Sequence, residues 1–121
     1  MARRVLVIDD SDLIREVAKL ALGRAGWEVL VAPGGREGAE LAAAEAPDAI
    51  LLDVVMDDLD GPQTLALLRA QEATRDVPVL FLTAKEEGAF TAGDAQGVIA
   101  KPFDIGSLAG DVAAALGWDA P

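Results

Sequence analysis

Val5-Leu6-Val7-Ile8, Ala49-Ile50-Leu51-Leu52, Val79-Leu80-Phe81-Leu82 and Gly97-Val98-Ile99-Ala100 are short apolar runs. Each stops at a residue with chemistry of its own: Asp9-Asp10, Asp53, Thr83 and Lys101 respectively. Apolar runs of this length suit strands buried on both faces, as in a parallel sheet covered by helices. Helical patterns lie between them, which predicts βαβ units. Parallel neighbours bring their carboxyl ends to one edge, and open α/β sheets bind ligands there. Three carboxylates, a hydroxyl and an ammonium gathered at that edge suit a divalent metal and a phosphoryl group.

The remaining elements follow from caps and breakers. A first helix is predicted over 12–25, capped by Ser11, with Leu13, Val17, Leu20 and Ala21 on one face and Gly26 as its stop. A second strand is expected over 28–32. A second helix is expected over 35–46, ending before Pro47. Asp60-Gly61-Pro62 opens a third helix, because proline fits a first turn whose N–H groups have no partners anyway. The fourth run begins near Val77. Residues 85–92 form a weak helix candidate, and a last helix is expected over 104–116. The interval between the fourth and fifth strands is tight for a complete crossover.

A length of 121 residues predicts one domain, 1–121, with no linker or repeat. There is no cysteine and no histidine, which excludes thiolate or imidazole ligation and a phosphohistidine on this chain. The net charge of −11 opposes binding to nucleic acid or to an anionic membrane. Part of that charge is local, since Asp9, Asp10, Asp12, Asp53, Asp57, Asp58 and Asp60 cluster after two strands. With no signal-peptide pattern and no membrane-length apolar run, a cytoplasmic protein is expected.

Taken singly, these residues have ordinary readings. Asp9-Asp10-Ser11-Asp12 can be a generous helix cap, Thr83 a strand end, and Lys101 a solvated lysine. Taken together, at four strand ends of one sheet, they read as a site. Clustered carboxylates repel one another, and a hard cation such as Mg²⁺ relieves this through oxygen ligands. Asp53 can then act as a nucleophile, Lys101 can supply a point charge for the phosphoryl group, and Thr83 can donate a hydrogen bond.

Val7-Ile8-Asp9-Asp10, Leu51-Leu52-Asp53-Val54-Val55-Met56, Asp60-Gly61, Leu82-Thr83-Ala84 and Lys101-Pro102-Phe103 resemble, in order, the receiver domain of bacterial two-component response regulators. The resemblance spans nearly the whole chain and points to the single-domain, chemotaxis-type members. It implies a flavodoxin-like, doubly wound five-stranded parallel sheet of order 2-1-3-4-5. It further implies phosphoryl acceptance on Asp53 from a histidine kinase or histidine phosphotransfer protein. Asp10 and Asp53 would ligate Mg²⁺ directly, Asp9 through water, and Val55 through its backbone carbonyl. Thr83 and Lys101 would hold phosphoryl oxygens, and the Lys101-Pro102 bond would be cis. The output would be binding to a downstream protein, not enzymatic turnover of a substrate.

Three departures from the family stand out. Val98 occupies the position of the usual Tyr or Phe. The stretch between Thr83 and Lys101 is about four residues short, roughly one helical turn, so a shortened or irregular fourth helix is expected. Asp57 stands where proline is common. Two other readings compete. One is a small haloacid-dehalogenase-type phosphatase with Asp10 as nucleophile, since Asp10-Ser11-Asp12 imitates its opening motif, although Leu13 and Ile14 do not continue it. The other is a receiver-fold scaffold that signals without phosphate.

Overall fold

A computed structural model of the protein describes residues 3–84 and 95–121. Its strands are β1 (Arg4–Ile8), β2 (Glu28–Ala32), β3 (Ala49–Asp53), β4 (Val79–Ala84) and β5 (Gly97–Lys101). The described helices are α1 (Asp12–Gly23), α2 (Gly35–Glu45), α3 (Gly61–Ala70) and α4 (Leu108–Leu116), with a 3₁₀ turn at Glu72–Thr74. All strand pairs are parallel, in the order β2-β1-β3-β4-β5, as expected. The helix candidate at 85–92 lies outside the described residues. Among the described residues no helix is long and apolar enough to cross a membrane.

Strand alternation divides the core in two. Leu6, Ile8, Ile50, Leu52, Val79 and Phe81 pack with α2 and α3 residues such as Ala39, Ala42 and Leu68. Val5, Val7, Leu51, Leu80, Leu82 and Ile99 pack with Ala18, Leu22, Leu108 and Val112 of α1 and α4. Each such fully buried aliphatic side chain contributes on the order of 1.5–3 kcal/mol. That is why the central runs tolerate no polar residue until they end.

Two helices differ from expectation. The predicted α1 face is buried only in part: Ala21 is in the core, but Leu13 and Leu20 are 70% and 56% exposed. The core side is Ala18, Ala21 and Leu22, with Ile14 packed partly against it. Apolar residues occupy two stripes of this helix, and the one that contains Ala18, Ala21 and Leu22 packs on the sheet. The last helix starts at Leu108 and not at Asp104, because residues 104–107 form a turn in which the Ser107 amide donates to the Asp104 carbonyl. The other boundaries agree to within about two residues. Gly26, at φ 86°, follows α1 as its stop.

Candidate functional site

Register assembles the site. Ile8 pairs with Leu52, so Asp9 and Asp53 follow adjacent residues on neighbouring strands. Asp53 pairs with Leu82, which puts Thr83 one step further along β4. Thr83 pairs with Ala100, and Lys101 follows at the end of β5. The sheet therefore delivers all four groups to one edge, as the apolar runs predicted.

Asp9 and Asp53 are 0% and 5% exposed, and Thr83 is buried as well. Asp10 is exposed. The Lys101 ammonium lies 2.8 Å from Asp9 Oδ2 and donates to Asp53 Oδ1 at 3.0 Å. Asp9 Oδ1 accepts the Ser11 amide at 2.9 Å, and Asp53 Oδ1 the Val55 amide at 3.4 Å. The Thr83 hydroxyl donates to the Ala84 carbonyl at 3.3 Å. The Lys101-Pro102 bond is cis, as the resemblance implied.

The electrostatics follow from this packing. Burial pushes the Asp53 carboxyl up to about 6, opposed by the hydrogen bond from Lys101 and reinforced by the charge of Asp9. Burial disfavours the Lys101 ammonium, but the two carboxylates outweigh it and hold its pKa above the ordinary value.

The donor set fits a hard divalent cation. Asp9, Asp10 and Asp53 each offer a carboxylate oxygen, and these atoms lie within 4.8 Å of one another. Asp9 Oδ2 is buried, and its Lys101 contact is an ion pair without good hydrogen-bond geometry. It therefore keeps lone-pair capacity for a metal or its water. An all-oxygen set of this kind suits Mg²⁺ better than a soft transition metal.

The loop after β3 is clamped on both sides. The Gly61 amide donates to the Val54 carbonyl at 2.7 Å. A Cβ at Gly61 would fall 2.8 Å from Val54 Cα and 2.9 Å from the Asp53 carbonyl oxygen, so only glycine fits. Asp60 caps α3 in a reciprocal pair with Gln63. Asp58 accepts the Gly35 and Arg36 amides, both at 3.0 Å, and so caps α2, whose own N-cap is Gly34. These amide bonds, that of Arg36 foremost, hold the Asp58 pKa below the ordinary value.

Sequence reasoning read Asp58 only as part of the acidic excess. The glycine at the α2 cap was the signal that its partner comes from elsewhere. Arg15 was missed altogether. It donates to the Asp9 carbonyl at 2.8 Å and pairs with Asp12.

A family model described as the response regulator receiver domain matches residues 5–113. The DNA-binding dual master transcriptional regulator RpaA of Synechocystis is 38% identical over 119 residues, which cover 93% of this chain and 48% of RpaA. The chain spans about half the length of the curated relatives it matches. Chemotaxis protein CheY4 of Vibrio cholerae is similar with a TM-score of 0.84 and 32% identity, over 95% of this chain and 99% of that one. The receiver domain of sensor histidine kinase PA1611 from Pseudomonas aeruginosa has a magnesium ion coordinated in its active-site cleft. Its similarity has a TM-score of 0.85 and 26% identity, over 97% of this chain and 99% of that one.

Proposed function

The chain belongs to the response regulator receiver domains, signalling modules of two-component systems, and from that premise we propose that Asp53 accepts a phosphoryl group from a histidine kinase or histidine phosphotransfer protein. Residues 1–121 act in this reading as one receiver domain. Its phosphorylation state is read by a downstream protein. The net charge of −11 argues against nucleic acid as that reader, since each phosphate contact needs a cation. Asp9, Asp10, Asp53 and the Val55 carbonyl hold Mg²⁺. When bound, that cation neutralises charge on the acids and on the incoming phosphoryl oxygens.

The observation that carries this reading is the setting of Asp53: its buried carboxylate accepts from the Lys101 ammonium at 3.0 Å, the same ammonium meets Asp9, and Asp9, Asp10 and Asp53 each offer an oxygen to one point. An Asp53 oxygen attacks the donor phosphorus. The phosphorus–nitrogen bond to the donor imidazole breaks, and the imidazole leaves with the bonding pair. Lys101 offers its ammonium to the transferred group, and the Thr83 hydroxyl donates to it. The dehalogenase-type alternative draws no support from the comparisons, and its nucleophile Asp10 is exposed, outside the Lys101 pair.

Incubation with a small-molecule phosphodonor, followed by mass mapping, tests the assignment. Phosphate is expected on Asp53 only with Mg²⁺ present, and not in Asp53→Ala. Equal incorporation by Asp53→Ala overturns it. Phosphate on Asp10 supports the phosphatase, and no phosphate at all supports the scaffold.

Val98 limits how the signal leaves the site. It pairs with Phe81, one side-chain step below the Thr83–Ala100 pair, and is 41% exposed. An aromatic at this position fills the space that the threonine vacates in most of the family. Valine is too small and too stiff at χ1 to do so. A ligand shifts an equilibrium only through contacts that differ between two states. Amide chemical shifts with and without beryllofluoride, an aspartyl-phosphate mimic, are therefore expected to change most around residues 11–20 and 54–61. Large changes over 95–110 with little change in those segments would contradict this.

A further inference from the structure

We propose that Arg15 is a positioning residue for the cation site, acting through the Asp9 carbonyl and touching neither metal nor phosphate. The proposal rests on the reading of Asp9, Asp10 and Asp53 as that site.

Asp9 and Asp10 are adjacent, so one peptide unit carries both the Asp9 carbonyl and the Asp10 amide. Asp9 is held elsewhere too: its amide donates to the Ala32 carbonyl at 3.1 Å, and its carboxylate meets Ser11 and Lys101. Asp10 is different. It is exposed, and among the described residues no side-chain hydrogen bond holds its carboxylate. Its aim therefore depends on the peptide that leads into it. Arg15 Nη1 fixes that peptide by donating to the Asp9 carbonyl at 2.8 Å. Nη2 is braced by Asp12, three residues earlier on the same helix. The Arg15 side chain is only 16% exposed, whereas that of Asp12 is 94% exposed. The guanidinium is thus wedged between the first turn of α1 and the strand-end loop. A planar fork can serve both partners at once, and an ammonium cannot do so in the same geometry.

The two roles open to a cation here predict opposite signs. If Arg15 acted only through its charge, removing it would leave the acidic cluster more negative and tighten Mg²⁺ binding. If it aims Asp10, removing it loosens a ligand and weakens binding. Groups that orient metal ligands from behind are typically worth about tenfold or more in affinity.

Calorimetric titration of the native chain, Arg15→Ala and Arg15→Lys with Mg²⁺ decides between them, with metal-free melting recorded in parallel. The expected result is a dissociation constant about tenfold weaker for Arg15→Ala and only partial recovery in Arg15→Lys, whose single ammonium can reach the carbonyl but not both partners in the same geometry. Arg15→Met, which keeps an apolar stem in the half-buried position and removes only the guanidinium, is expected to weaken binding as Arg15→Ala does, whereas the charge-only role predicts tightening. It serves as the readout should Arg15→Ala fail to fold. Equal or tighter binding by Arg15→Ala, or by Arg15→Met where Arg15→Ala does not fold, overturns the proposal, as does lower stability with an unchanged dissociation constant. The failures are distinguishable. A native chain that binds no Mg²⁺ removes the underlying site reading as well, whereas native binding with unaltered variants removes the role of Arg15 alone.

Discussion

At pH 7 the Asp53→Asn variant is expected to melt higher than the native chain without metal, and lower with Mg²⁺ present. Without metal, the cause is burial of Asp53 beside Asp9. The folded-state pKa is raised from 3.8 to about 6, the reverse of the usual salt-bridged aspartate. Below pH 3.8 the carboxyl is protonated whether the chain is folded or not, and it costs nothing. Between 3.8 and about 6 the unfolded chain releases its proton while the folded chain keeps it, so stability falls as pH rises. Above that window the loss is constant, at most about 3 kcal/mol from roughly two pKa units. Asparagine removes this penalty but weakens the bond from Lys101, leaving a net gain of about 1–2 kcal/mol.

Mg²⁺ reverses the order. A ligand that binds only the folded chain stabilises it by about 2.7 kcal/mol at a hundred times its dissociation constant. Asp53→Asn lacks one charged ligand and gains little. Thermal melts at pH 4 and pH 7, each with and without millimolar Mg²⁺, check the whole pattern. The variants should converge near pH 4 without metal. A native chain whose melting point ignores Mg²⁺ at pH 7 would show that the three acids do not form a metal site.

How much of this was readable in advance depends on the distance over which each feature is encoded. The site edge was legible because each of the four buried runs is continuously apolar and must end before a polar or charged residue, whereas the strand order came from the resemblance and not from the runs. The α3 start was legible because its cap, glycine and proline are contiguous. The face of α1 was legible only at Ala21, since Leu13 and Leu20 are as apolar as the residues that face the core. Packing on the sheet selects Ala18 and Leu22 beside it. The Asp58 cap spans 23 residues of sequence to reach Gly35, and no local pattern marks such a partner. Arg15 reads locally as a solvated helix charge. Its bond to the Asp9 carbonyl exists because α1 starts directly behind the end of β1.

Replacing Lys101 by alanine is expected to have the opposite sign from Asp53→Asn, although both break the same ion pair. The Lys101 ammonium lies against two carboxylates, those of Asp9 and Asp53, with Asp10 close by. The site therefore carries more negative charge than one lysine can balance. Removing an acid reduces that imbalance, whereas removing the lysine leaves two buried carboxylates facing one another. Breaking a buried pair from its outnumbered side is costly because the remaining charges keep their desolvation and lose their compensation. The Lys101 side chain is 18% exposed, so the loss falls at the lower end of the range for such breaks, about 3 kcal/mol at pH 7. Without the Lys101 hydrogen bond, which opposes the upward shift, the Asp53 carboxyl holds its proton more tightly in the folded chain, so the deficit shrinks as the pH falls. Mg²⁺ recovers part of it by taking over the compensation. In an Asp53→Asn background the same substitution faces one carboxylate fewer and should cost about 1–2 kcal/mol less. Urea unfolding of the two single variants and the double variant, at pH 5 and pH 7, measures each term. A Lys101→Ala loss below about 1 kcal/mol, or an equal loss in both backgrounds, would show that the lysine is not what holds the two acids together.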